Sequence, residues 1–262
     1  MCRLMGYLGS PVQLDRLLNK PEHSLIIQSY EPREMTSGVV NADGFGIGWY
    51  HLHHQTEPYT YKSTLPIWND VNLPSLSRYV ETGCVLATVR SATTGQALDL
   101  SNCQPFQHRL ILGTHNGFIA DFRQTLYRPI RDRLDDIAYQ AIRGSTDSEH
   151  IFALVINELE ANPDLSLLEA LHRALTLLRK LAADQQISFS ANIILSDGQQ
   201  LVASRFAERT ATPSLYWLRD DPLFPQAVLI ASEPLFSSNW VSCPEHSILT
   251  VNHELDIQIH SI

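Results

Sequence analysis

Apolar residues fall into short alternating or continuous runs at both ends of the chain and into helical spacing in its middle. Arg3–Leu8, Gly46–Leu52, Tyr59–Lys62, Cys84–Arg90 and Arg109–His115 read as strands, separated by Gly, Pro, Asn or Asp. Three helical segments follow. Pro129–Arg143 opens on a proline suited to a first turn and stops at Gly144. Ser148–Glu160 sets Ile151, Leu154, Val155 and Leu159 on one face and closes at Asn162-Pro163. Ser166–Ala183 repeats the pattern, with Ser166 and Glu169 at capping-box spacing. Strands return at Ser188–Leu195, Leu201–Phe206, Ser214–Leu218, Ala227–Ser232, Ser247–Val251 and Leu255–His260. Ser196-Asp197-Gly198-Gln199 reads as the hairpin turn between the first two of these. Strands, then helices, then strands predict an α+β fold of antiparallel sheets with helices packed outside, not alternating βαβ units. No repeat, low-complexity tract or Gly/Ser linker marks a boundary, so residues 1–262 are expected to form a single domain.

Charge narrows the choice of function. Lys+Arg number 19 against Asp+Glu 28, a formal net charge of −9, which argues against sequence-independent nucleic-acid binding. No apolar run approaches the ~18 residues of a membrane span, and Met1–Met5 is too short and mixed for a secretory signal. Cys2, Cys84, Cys103 and Cys243 are scattered without CxxC spacing, so neither a zinc knuckle nor a disulfide framework is expected. The setting implied is cytoplasmic and thiol-reducing. The last three cysteines read as packing residues.

Cys2 is different because of where it stands. Methionine removal is expected before so small a residue and leaves its thiol and a new α-amino group on one residue. The thiolate is a nucleophile, and the amine, at about 7.7–8.0 when unperturbed, can serve as its general base. Asn116-Gly117 follows an apolar strand and has two readings, a tight turn or an oxyanion hole built from the Asn amide and the Gly N–H. Arg90 ends a strand beside small hydroxylic residues, which suits either bidentate carboxylate recognition or a surface ion pair. Asp147 stands at a helix start, where it can cap the helix and also accept an ammonium. Asn41–Trp49 is glycine-rich but is not GxGxxG and leads into no helix, so it reads as a loop holding backbone close to a site. His51, His53 and His54 lack a carboxylate or cysteine to complete a metal set, and no metal or cofactor is expected.

Together these residues resemble the class II glutamine amidotransferase domain, an N-terminal-nucleophile hydrolase. The matches are Cys2 after Met1, Arg90-Ser91-Ala92-Thr93, His115-Asn116-Gly117, Asp147 at a helix start and the Asn41–Gly46 loop, spread over about the first 150 residues. The resemblance implies a four-layer αββα sandwich. It makes Cys2, Asn116 and Gly117 catalytic, and it assigns Arg90, Thr93, His115 and Asp147 to substrate binding. Cys2 attacks a γ-glutamyl amide to give a thioester, Asn116 and Gly117 hold the oxyanion, Arg90 clamps the α-carboxylate and Asp147 the α-ammonium.

Two positions depart from the pattern. Gln104, in Asn102-Cys103-Gln104-Pro105-Phe106, and Thr94 stand where members that make ammonia for synthesis often carry His. Those members also fuse a second, ammonia-consuming domain, whereas here the C-terminal strands are needed to complete the sandwich. The chain therefore looks like the stand-alone amidohydrolases of ergothioneine synthesis and glutathione breakdown, and Ala231-Ser232-Glu233-Pro234-Leu235, Trp240 and Ser247-Ile248-Leu249 are similar to that subgroup's C-terminal signature. By that analogy the substrate is γ-glutamyl-hercynylcysteine sulfoxide. A glutaminase subunit feeding a separate synthase, a glutathione-type γ-glutamyl peptide hydrolase and a catalytically silent binding module are the competing readings. The partner implied is a small γ-glutamyl molecule, with no nucleic acid and no membrane, and a homo-oligomer is left open.

Overall fold

The structure, a computed structural model, describes residues 2–35, 38–51, 57–92 and 96–262. The chain begins with β1 (Arg3–Gln13), α1 (Leu14–Leu18), α2 (Leu25–Tyr30), β2 (Phe45–Trp49), β3 (Tyr59–Ser63), α3 (Leu73–Tyr79) and β4 (Glu81–Val89). It continues through β5 (Phe106–His108), β6 (Ile111–Ile119), α4 (Tyr127–Arg131), α5 (Asp136–Ala141), α6 (Asp147–Ala161) and α7 (Leu167–Asp184). The remaining strands are β7 (Phe189–Ser196), β8 (Leu201–Arg205), β9 (Ala207–Glu208), β10 (Tyr216–Asp221), β11 (Phe224–Ala231), β12 (Val241–Ser242), β13 (Ser247–Val251) and β14 (Ile257–Ser261).

Two antiparallel sheets result, ordered β12-β10-β11-β1-β4-β2-β3 and β14-β13-β8-β7-β6-β5, with β9 paired to β7. Side-chain alternation along each strand sorts the core into three layers. Leu4, Leu8 and Leu86 of the first sheet meet Leu112, Ile194 and Leu249 of the second between the sheets. On the first sheet's outer face, Met5, Tyr7 and Val85 pack with Leu14, Leu17 and Leu25 from the short helices. The second sheet's outer face carries Ile119, Ile193 and Leu195 against Ile151, Val155, Leu171 and Leu175 of α6 and α7. The architecture is the expected helix–sheet–sheet–helix sandwich.

Local signals account for several boundaries. Ser166 and Glu169 form the full capping box, while Thr146 caps α6 through its hydroxyl and Glu149 N–H alone. Pro11 falls where β1 shifts register, between Leu8 and Val12, a place where a missing N–H breaks no ladder bond. Helices α1, α2 and α3 are five to seven residues long, too short to show periodicity, and owe their form to the sheet they cover.

One expectation fails, and one of two open readings is excluded. Pro129–Arg143 is not one helix but α4 and α5, because Asp135 is extended and its N–H donates to Asn157 Oδ1 of α6 instead of to a helical carbonyl. Asn116-Gly117 is not a turn, since β6 runs straight through both residues, paired with Asn192 and Ala191 of β7.

The glycine-rich segment has a packing explanation. Gly44, Gly46 and Gly48 alternate along one strand face, and a Cβ on them would lie 2.8 Å from Cys103 Sγ, 2.0 Å from the Gln104 carbonyl oxygen and 2.9 Å from Pro105 Cγ. The Cys103–Pro105 segment, with the Gln104 backbone at its centre, therefore lies directly on β2. Gly46→Ala is expected to destabilise the protein by at least about 1–3 kcal/mol, read as an earlier midpoint in urea unfolding.

Candidate active site

Strand register brings one end of each sheet together. At the far end, Cys84 Sγ in β4 lies 3.2 Å from Ser196 Oγ in β7, and Ser196 pairs with Leu112. At the near end, Asn192 Nδ2 donates to the Pro213 and Ser214 carbonyls at 3.0 and 3.1 Å. Ser214 Oγ donates to the Ser232 carbonyl at 2.8 Å, and Ser232 bonds Leu4 through both its N–H and its hydroxyl. Asn116, directly opposite Asn192, thus lies toward the Cys2 end of β1. Alternation agrees: Asn116 shares the inward parity of Leu112, and Cys2 that of Leu4.

Asn116 is fully buried, and neither its Oδ1 nor its Nδ2 has a partner among the described residues. A buried primary amide left unpaired costs roughly 1–3 kcal/mol per group, and both of its polar atoms are open to a further hydrogen bond. Gly117 extends the point. Ala120 N–H bonds Ser188, so the even-numbered β6 residues exchange bonds with β7 and the odd N–H groups face away from it. His115 N–H is taken by Gln104 Oε1 and Ile119 N–H by Asp147 Oδ2. Gly117 N–H lies on that same edge, between them. Its missing side chain is required, since a Cβ there would fall 1.9 Å from the Ser190 carbonyl oxygen.

Arg90 follows β4 on the inward parity and is buried. Its guanidinium donates to the Asp43 carbonyl at 3.2 Å and to Gln96 Oε1 at 3.1 Å, and no carboxylate lies within ion-pair distance among the described residues. The 41–44 loop locks it in place, through Asp43 N–H to Arg90 O, Arg90 N–H to Gly44 O, and Ala92 N–H to Asp43 Oδ2. A buried guanidinium that forms no ion pair among the described residues suits recognition of an anionic group. Cys2 precedes β1 opposite Arg90, half-buried, with its Sγ 4.0 Å from the Ser91 carbonyl.

The other expected residues sit around this end. Asp147 opens α6 and accepts from Ile119 N–H and Ser148 N–H, both at 2.8 Å, with Ser148 Oγ 3.4 Å from the Oδ1 that takes the Ser148 N–H. His115 has the opposite parity to Asn116, so its ring faces α6 and not the interlayer space. Its Nε2 lies 3.1 Å from the Ser190 carbonyl, which can only accept, so the proton is on Nε2 and Nδ1 accepts from Ser148 Oγ at 2.8 Å. Burial lowers its pKa and outweighs the opposing Asp147 charge and Ser190 carbonyl, keeping the ring neutral. Gln104 sends its amide to the His115 backbone, donating to its carbonyl at 3.0 Å and accepting from its N–H, as a strand neighbour would. Thr93, Thr94, His53 and His54 lie outside the described residues.

One cluster went unread in the sequence. Glu233 accepts from Arg3 Nη1 at 3.0 Å, lies 2.8 Å from His23 Nε2, and takes the N–H groups of Arg33 and Glu34 at 2.8 and 2.9 Å. Arg3 is fully buried, and its charge is tied to Glu233 immediately after Cys2 in the chain. An arginine on the outward parity of an apolar strand was the available signal, because such a charge needs an acid partner.

A family model described as "glutamine amidotransferases class-II" matches residues 18–233. The γ-glutamyl-hercynylcysteine sulfoxide hydrolase of Mycobacterium tuberculosis is 30% identical, with 97% of this chain and 94% of that protein aligned. A probable glutamine amidotransferase of Saccharomyces cerevisiae is 28% identical over 100% of this chain and 84% of its own length. Among solved structures, a glutamine aminotransferase class-II domain protein of Silicibacter pomeroyi superimposes with a TM-score of 0.72 at 26% identity, covering 99% of both chains. The phosphoribosylpyrophosphate amidotransferase of Bacillus subtilis shares the fold, with a TM-score of 0.66 at 15% identity over 99% of this chain and 49% of that one.

Proposed function

The chain belongs to the class II glutamine amidotransferases, and from that premise we propose that Cys2 is the nucleophile with which it hydrolyses a γ-glutamyl amide. The enzyme is an amidohydrolase acting on γ-glutamyl bonds. Once Met1 is removed, the Cys2 α-amine takes the thiol proton and the thiolate attacks the γ-carbonyl carbon. The tetrahedral oxyanion accepts from Asn116 Nδ2 and Gly117 N–H. Collapse breaks the C–N bond, the α-ammonium returns its proton to the leaving amine, and a thioester remains. Water, deprotonated by the same amine, attacks the thioester and releases glutamate. Arg90 takes the substrate α-carboxylate and Asp147 the α-ammonium. His115 acts from behind, holding the strand that carries Asn116 and Gly117.

The observation that carries this reading is the Asn116 amide, fully buried with both polar atoms unpartnered. The absence of a carboxylate within ion-pair distance of buried Arg90, among the described residues, supports the same substrate. Similarity to the mycobacterial hydrolases favours γ-glutamyl-hercynylcysteine sulfoxide, cleaved to glutamate and hercynylcysteine sulfoxide. Similarity to the yeast protein over the whole chain favours a second reading, with glutamine as substrate and ammonia passed to a separate partner. A panel of γ-glutamyl-hercynylcysteine sulfoxide, glutathione and glutamine, assayed for glutamate release, separates them. The first compound is expected to give the highest kcat/KM. Glutamine as the best substrate, with stimulation by a partner, supports the second reading. An intact mass that retains Met1 in active enzyme removes the α-amine base and overturns the mechanism.

A further inference from the structure

A cleft of about 600 Å³ opens on the side of the sandwich where β3 and β5 form the sheet edges, closed by the α5–α6 region. It is lined by Lys62, Phe106, Arg143, Glu149 and Phe152 among others, and by neither Cys2 nor Asn116. Register places Lys62 opposite Gly46, Gly46 opposite Thr88, and Thr88 opposite Leu4, three strands across the first sheet. The Gln104 backbone rests on Gly46 within that row and separates Lys62 from the β4 and β1 strands that lead to Cys2.

Two cations face this space without forming an ion pair among the described residues, although Glu149 is near enough to pull on Lys62. The Lys62 ammonium sits over the Phe106 ring, 5.9 Å from its centre, and makes no hydrogen bond or ion pair among the described residues. The Arg143 side chain likewise makes none, while its backbone N–H donates to Glu149 Oε1 at 2.9 Å. Among the described residues Glu149 is the acid buried beside them, and its second oxygen is taken by Gly144 N–H at 2.7 Å. Glu57 lines the cleft but is exposed and forms no ion pair with either cation. Lys62 and Arg143 repel each other, with aromatic rings for walls, in a chain of net charge −9.

We propose that this cleft is a second ligand site that binds the carboxylate or phosphate group of a small anionic molecule between Lys62 and Arg143. Burial already lowers the Lys62 pKa, against the opposing pull of Cys103 and Glu149, and Arg143 lowers it further. A bound anion relieves both the desolvation and the repulsion.

Isothermal titration of the full chain with inorganic phosphate and with succinate tests it. One of the two probes is expected to bind saturably, and the stronger one identifies the anion class. Lys62→Met and Arg143→Met are each expected to weaken binding about tenfold or more. Lys62→Arg retains binding, and so does Cys2→Ala. No saturable binding below roughly 10 mM, or affinity unchanged in both methionine variants, overturns the proposal.

Discussion

Cys2→Ala is expected to lower glutamate release at least about 10⁴-fold, the scale on which removing a nucleophile acts when its supporting groups remain. No other thiol can take over. Burial pushes Cys84 and Cys243 up to about 12 and raises Cys103 as well, so none of the three supplies thiolate near neutral pH. The fold is expected to survive, because Cys2 lies before β1 and its thiol makes one long contact, 4.0 Å to the Ser91 carbonyl. An unchanged thermal midpoint beside the lost activity assigns the effect to chemistry. Residual release above about 1% of wild type sinks the nucleophile assignment.

Glu233→Gln is the second large effect, and it falls on stability. The substitution keeps the volume and removes the charge that compensates fully buried Arg3 and pairs with His23. Breaking a buried pair in this way costs about 3–5 kcal/mol, because the surviving charge stays desolvated. At roughly 2–4 °C per kcal/mol for a chain of this size, the midpoint is expected to drop by roughly 6–20 °C. The pH dependence has a definite sign. Burial alone would raise the Glu233 carboxyl, but His23, the Arg33 and Glu34 amides and Arg3 outweigh it, and its pKa lies below the ordinary value. A carboxylate depressed on folding contributes stability that is fully present above the unfolded pKa of about 4.3 and is lost as pH falls through the folded value. Thermal melts from pH 7 downward are therefore expected to show wild type and Glu233→Gln converging in acid. A constant gap between them at every pH contradicts the assignment.

Glu233 also shows why part of the site was hidden in the sequence. It stands 230 residues from Arg3 and 210 from His23, and only the pairing of β11 with β1 brings them together. Gln104 is similar: the residue type suggested a lost histidine, whereas its amide serves as a strand surrogate for the His115 backbone. In the helical region, the spacing over residues 129–143 was genuine, but Asn157 of a neighbouring helix captured one N–H and divided the segment. The turn reading of Asn116-Gly117 is excluded for the same kind of reason. A pair that favours a turn locally is held extended by eight consecutive partners in β7.

What the sequence determined by itself is whatever rests on short-range physics: the alternation of β13, read to the residue, the stripe and capping box of α7, and the strand–helix–strand order that fixes the layers. It also supplied the residue types, a cysteine after methionine and Arg90, Asn116, Gly117 and Asp147 in the order the resemblance requires. Tertiary structure decided what those types face. A strand shows its side chains to alternate sides, so one step separates Asn116, turned inward with its amide unpaired, from His115, turned outward onto Ser148. Which side is inward, and which N–H groups stay free, depends on register with strands far away in the chain, and no local pattern encodes that.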